Sequence, residues 1–147
     1  MRFEEITKAF LIEADTDMKL AKAAYENDIH SGCVYHCQQC VEKSMKAVLA
    51  IMGTVGIIKH EVTDIFESKI TNKIPLNENI KRVIDHGRFF ESLGTKPRYP
   101  LFGRPDLPVW IPTKEYRKED AEDALQKAIF VFENLTTLLK EVYEIEL

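Results

Sequence analysis

The sequence predicts an all-α fold: an antiparallel up-and-down bundle of about five helices, with a long proline-rich loop before the last helix. Three observations lead there. Apolar residues recur at the three- and four-residue spacing of helix faces over most of the 147 residues. No segment shows the apolar–polar alternation of a half-buried strand. Five of the six prolines (Pro97, Pro100, Pro105, Pro108 and Pro112) crowd into residues 94–116, where they forbid a continuous helix.

The first helix is expected from Phe3 to Tyr25, where Phe3, Ile6, Phe10, Ala14, Ala21 and Ala24 fall on one face. Asn27, Asp28 and Gly32 interrupt that pattern. A second helix runs from about His30 to Met52, with Gly53 as its stop. After the linker GTVGII, the segment HEVTDIFESKI predicts a short third helix. Asn77 is placed to cap a fourth, ENIKRVIDHGRFFESLG, ending near Gly94. The last helix spans about Arg117 to Glu144. Its stripe comprises Ala121, Ala124, Leu125, Ala128, Val131, Phe132, Leu135, Leu138, Leu139 and Val142. The proline-rich loop carries Tyr99, Phe102 and the only tryptophan, Trp110, aromatics expected to pin it to the bundle. Loops this long inside a domain are often functional.

One domain is expected over residues 1–147, long enough to bury a core without covalent staples. A net charge of −4 excludes a protein that coats duplex nucleic acid through a broad basic field, while leaving room for a local basic site. No apolar run approaches the roughly 20 residues of a membrane span. The start, MRFEEITKAF, lacks the apolar stretch of a signal peptide, and three cysteines are an odd number for disulfides. A cytoplasmic, reducing location with free thiols is therefore expected.

All three cysteines fall within CVYHCQQC, residues 33–40, with His36 among them and His30 upstream. Such a cluster raises the question of a metal. Cys33, Cys37, Cys40, Ser44, Ala47, Val48 and Ile51 share one helix face, a stripe of small residues that lets another helix approach closely. Structural zinc favours four ligands, often in CxxC pairs, whereas the spacing here is C-x3-C-x2-C and His36 points away from the stripe. Core packing is the reading adopted; no metal and no cofactor are expected.

The other side of that helix carries Tyr35, Gln39, Glu42 and Lys46, with Glu42 four residues before Lys46 as an intrahelical ion pair prefers. Stripes of this kind are ordinarily solvated. Asp17 stands inside the apolar stripe of the first helix. A buried carboxylate needs a partner, for which Lys46, Arg98 or a tyrosine hydroxyl are the candidates, unless Asp17 reaches water at the stripe's edge.

The run HCQQCVEKSMKAVLAIMG resembles the signature of the HEPN domain family (higher eukaryotes and prokaryotes nucleotide-binding): a glutamine pair, a small residue, Glu-Lys, then Lys-Ala and an aliphatic run. DMKLAKAAYEND resembles the family's first helix, His60 the histidine that opens its short third helix, and RYP at 98–100 an element after the fourth. EDAEDALQKAIFVFENL resembles its alanine-rich last helix. The resemblance spans nearly the whole chain in order. Cys37 and Cys40 fall where relatives often carry alanine, in agreement with core packing.

The resemblance implies a helical bundle, often dimeric, with one of two functions. The first is binding of nucleotide or RNA, as a homodimer or with a small nucleotidyltransferase-like partner. It would use Gln39, Glu42, Lys46, Arg98 and Tyr99, then Asp17 and His60. Lys46 and Arg98 would meet phosphate, Tyr99 would stack on a base and Gln39 would read its edge. Equally, Arg98 could anchor its loop by pairing with Asp17 or Glu42 while Tyr99 packs down. The second function is that of a metal-independent ribonuclease, a toxin component, built on Arg-x4-6-His. This chain has no such spacing. Its nearest approach is Arg82 and His86, with three residues between them, which would still lie side by side on a helix.

Overall fold

The computed structural model describes residues 2–147. Among them are six helices: α1 (Phe3–Glu26), α2 (His30–Ile51), α3 (Thr63–Thr71), α4 (Glu78–Leu93), α5 (Pro112–Glu115) and α6 (Lys118–Tyr143). They form the expected helical bundle, and the five long elements agree with the sequence reading to within three residues at their ends. The four-residue α5 was not anticipated. It starts at Pro112, whose fixed φ suits a first helical turn. No described helix is long and apolar enough to cross a membrane.

Helix α2 is the centre of the molecule and touches each of the other five helices. A tight turn joins it to α1, in which Asp28 adopts a left-handed φ of 58° and the Ile29 N–H donates to Ala24 O at 2.9 Å. Aspartate tolerates that conformation better than most residues. The small stripe of α2 is buried as its spacing predicts: Cys33, Cys37, Cys40, Ser44, Ala47 and Val48 are all 0% exposed. Ala121, Ala124 and Ala128 of α6 are likewise buried, and the Cys33 thiol lies 3.8 Å from Ala121 O. Small residues on both helices permit this close approach.

Two stripes were misjudged in detail. The buried face of α1 is Thr7, Leu11, Ala14, Asp17, Met18 and Ala21, so Phe3, Ile6 and Phe10 lie at its margin. Thr7 faces inward because its hydroxyl is satisfied by Ala47 O at 3.0 Å. On α6, Val142 is exposed, beyond the reach of the core.

The remaining junctions are set by polar contacts. Asn77 caps α4 by accepting from Ile80 N at 2.9 Å. Helix α3 begins at Thr63 and not at His60, because its cap comes from another helix. Glu91 Oε1 of α4 accepts from Val62 N, Thr63 N and Thr63 Oγ1 at 2.8, 2.8 and 2.6 Å. In the proline-rich loop, Leu101 and Trp110 form one antiparallel bridge. Trp110 closes the loop on itself instead of pinning it to the long helices, donating its indole N–H to Lys96 O at 2.9 Å and packing edge-on against Tyr116. Tyr99 and Phe102 are 56% and 78% exposed, a departure from the packed aromatics that the sequence suggested.

Gly87 sits where α4 crosses α2 and the start of α3. A Cβ there would collide with Met45 Cε and would lie 2.6 Å from Thr63 Oγ1. Gly87→Ala is therefore expected to lower stability by about 1–2 kcal/mol, overpacking outweighing the helix propensity gained. Urea denaturation read by circular dichroism measures it; an unchanged or raised midpoint would contradict this packing.

Candidate functional site

Two carboxylates are buried on the polar side of α2, and each is held between a lysine and a histidine. Asp17, 5% exposed, reaches from α1. Its Oδ1 pairs with His36 Nδ1 at 2.9 Å and its Oδ2 with Lys43 Nζ at 2.6 Å. His36 and Lys43 stand seven residues apart on α2, two turns along one face, so both meet the same side of α1. The sequence-derived partners for Asp17 are thus corrected. Lys46, Arg98 and tyrosine are not its partners, and it does not sit at a wetted edge.

Glu42 repeats the pattern. Its Oε2 pairs with Lys46 Nζ and its Oε1 with His60 Nδ1, both at 3.1 Å. The intrahelical Glu42–Lys46 pair is present, yet this face is not the solvated stripe that periodicity suggests. Glu42 is buried, and Tyr35, Gln39 and Lys46 are half-buried. Taking a carboxylate out of water costs several kcal/mol. Here all four oxygens of the two groups are occupied, which offsets that cost.

Beside Glu42 lies a cavity of about 190 Å³. Gln38, Gln39, Glu42 and Met45 of α2 form one wall, with His60 and Thr63 on the α3 side. Glu91 and Phe90 of α4 close it, and Arg98 stands in the chain that leaves α4. Gln38 Nε2 donates to Phe90 O and Gly94 O at 3.0 and 2.9 Å, tying α2 to the end of α4 and fixing the amide's orientation. Arg98 pairs with no carboxylate among the described residues, contrary to the anchor on Asp17 or Glu42. Its guanidinium instead lies 5.5 Å from the ring centres of both Tyr35 and Tyr99. A cation between two aromatic faces is held in place while keeping its charge available.

Of the residues singled out from sequence, Gln39, Glu42, His60 and Arg98 line this one cavity. Lys46 stands behind Glu42, Tyr99 flanks Arg98, and Asp17 lies apart, connected through His36 and Tyr35, whose rings are 4.9 Å apart. Sequence reasoning passed over Lys43, Gln38 and Glu91, and weighed His36 only as a metal ligand. The Glu-Lys pair of the signature already contained Lys43; nothing in the sequence points to Glu91, whose role depends on the meeting of α3 and α4.

Arg82 and His86 do come side by side on α4, but facing α6. The Arg82 guanidinium lies 4.1 Å over the Phe130 ring and His86 meets the same ring edge-on at 5.5 Å. Burial holds the His86 pKa below the ordinary histidine value, and the charges of Lys127 and Arg82 lower it further. Both effects favour the neutral imidazole, the form a general base needs.

The family model described as HEPN domain matches residues 7–141. A protein of Methanocaldococcus jannaschii named "Putative toxin MJ1304" is 34% identical over 150 residues, which cover 92% of this chain and 90% of that protein. Two solved structures share the fold. TT1696 from Thermus thermophilus superposes with a TM-score of 0.71 at 18% identity, covering 88% of this chain and 94% of the other. ST0689, described as an archaeal HEPN homologue, gives 0.66 at 19% identity, covering 91% and 98%.

Asp17→Ala leaves Lys43 and His36 facing an apolar gap in place of a carboxylate. A loss of about 2–3 kcal/mol in unfolding free energy is expected. Asp17→Asn, which keeps the volume, should lose less. Equal and negligible losses in paired urea titrations would show the ion pairs to be idle.

Proposed function

The chain belongs to the HEPN domain family, and on that premise we propose that it is a nucleotide- or RNA-binding module, acting as a homodimer or with a small nucleotidyltransferase-like partner. One observation carries the reading. Arg98 stands at the cavity with no carboxylate to neutralise it, between Tyr35 and exposed Tyr99. The guanidinium offers a planar fork to a phosphate, and Tyr99 a face on which a base stacks. Gln39 is placed to meet a base edge or sugar. Lys46 and His60 are engaged by Glu42, so they serve chiefly to hold that carboxylate and shape the cavity wall.

Calorimetric titration with ATP, GTP and a short RNA tests this. Binding to at least one is expected, weakened about ten- to a hundredfold by Arg98→Ala. An absence of heat with all three up to millimolar concentration would overturn the reading.

A second reading, a ribonuclease acting as a toxin component, is favoured by a different observation. Arg82 and His86, whose neutral form is favoured, are adjacent, and the M. jannaschii relative bears a toxin name. Under it, His86 takes the proton from a ribose 2′-hydroxyl, whose oxygen bonds to phosphorus as the P–O5′ bond breaks; the departing 5′ oxygen takes a proton from water, and Arg82 steadies the charge gathering on the phosphate. Purified protein would then cleave labelled RNA without added metal, and His86→Ala would abolish cleavage. RNA left intact by the wild-type protein discards this second reading.

A further inference from the structure

His36 has a role that its ion pair with Asp17 defines but does not exhaust. A carboxylate offers only acceptor oxygens, so the 2.9 Å contact from His36 Nδ1 to Asp17 Oδ1 places the ring proton on Nδ1. Lys43, bonded to the other oxygen at 2.6 Å, keeps Asp17 from turning away. In the neutral ring, Nε2 is then left without a hydrogen and is an acceptor only. It has no protein partner among the described residues, and the side chain is 26% exposed. The protein thus presents one oriented acceptor nitrogen at a half-buried surface.

Its position links it to Arg98. The His36 ring lies 4.9 Å from Tyr35, and the Tyr35 ring lies 5.5 Å from the Arg98 guanidinium. Tyr35 thus borders both the His36 ring, which stands outside the cavity lining, and the Arg98 guanidinium, which stands within it. A nucleotide with its phosphate on Arg98 and its sugar over Tyr35 brings that sugar to the edge of His36. An acceptor there requires a donor, and the group that a ribonucleotide has and a deoxyribonucleotide lacks is the 2′-hydroxyl, donor as well as acceptor.

Resting on the proposed binding function, we infer that His36 is a specificity residue of that site: its Nε2 accepts a hydrogen bond from the ribose 2′-hydroxyl, and the Asp17–His36 pair selects ribonucleotides over deoxyribonucleotides. Lys43 is a positioning residue that holds Asp17.

The test compares binding of one sequence as short RNA and as DNA, and of ATP and dATP, to wild type, His36→Asn and Arg98→Ala. Asparagine retains an N–H to donate to Asp17 but has no counterpart of Nε2, so the ion-pair cluster and thermal stability are expected to persist. Wild type should prefer the ribose form by about tenfold. His36→Asn should bind both forms with the weaker affinity, and Arg98→Ala should weaken both together. Equal binding of both sugars by wild type, with the Arg98 effect intact, overturns this inference and spares the binding function. So does a preference that survives His36→Asn. Loss of affinity for both sugars in His36→Asn, with the preference retained, would overturn it too, by showing His36 contacting phosphate. Binding of neither sugar form by wild type overturns the binding function itself, and this inference with it.

Discussion

Much of this molecule follows from the burial of two carboxylates beside its central helix. Asp17 and Glu42 are tolerated there because each has both oxygens occupied by a lysine and a histidine. Removing one partner from such a group leaves charge uncompensated in poor solvent, which is far more damaging than never having placed it there. The requirement ties α1 to α2 through His36 and Lys43, and the linker before α3 to α2 through His60. No residue of α2 is fully exposed, so even its polar side is covered by these contacts. The run that carries the family resemblance is therefore architectural in both directions: small residues set the helix spacing, and charged residues hold the flanking segments.

The helices and their order were legible in the sequence because helix periodicity, caps and proline breaks are local. Asn77 and the small stripe of α2 needed nothing beyond their neighbours along the chain. What escaped was set by elements meeting in space. The partners of Asp17 depend on the rotation of α1 against α2, and the buried face of α1 includes Thr7 because Ala47 O satisfies its hydroxyl. The start of α3 depends on Glu91, which no window around His60 contains. The candidate site was legible in part for the same reason. Gln39, Glu42, Lys46 and Arg98 were named from the pattern, but periodicity describes the polar side of α2 as solvated, whereas the cavity exists only once α4 and Arg98 close over it.

The same logic separates the two regions where histidine stands near arginine. At Phe130, Arg82 and His86 share an aromatic ring, and burial first and neighbouring cations second oppose a proton on His86. Beside Tyr35, the Asp17 carboxylate fixes His36 through its Nδ1. One imidazole is shaped chiefly by burial and the other by an ion pair, although the two look alike in the bare sequence.

On the proposed function, Arg98, unmatched by any carboxylate among the described residues, also bears on how a ligand is drawn in. The chain carries a net charge of −4, and the lysines nearest the site are matched by Asp17 and Glu42. Beyond a Debye length of about 8 Å at physiological ionic strength these charges are largely screened, so no long-range field draws a polyanion in. In the proposed role, capture would depend on short-range contact and not on long-range steering. With a single phosphate neutralised, log affinity for a single strand falls against log salt with a slope of only about −0.7. On the proposed function, such a site would gain little from bulk polyanion, and its affinity would depend only weakly on salt.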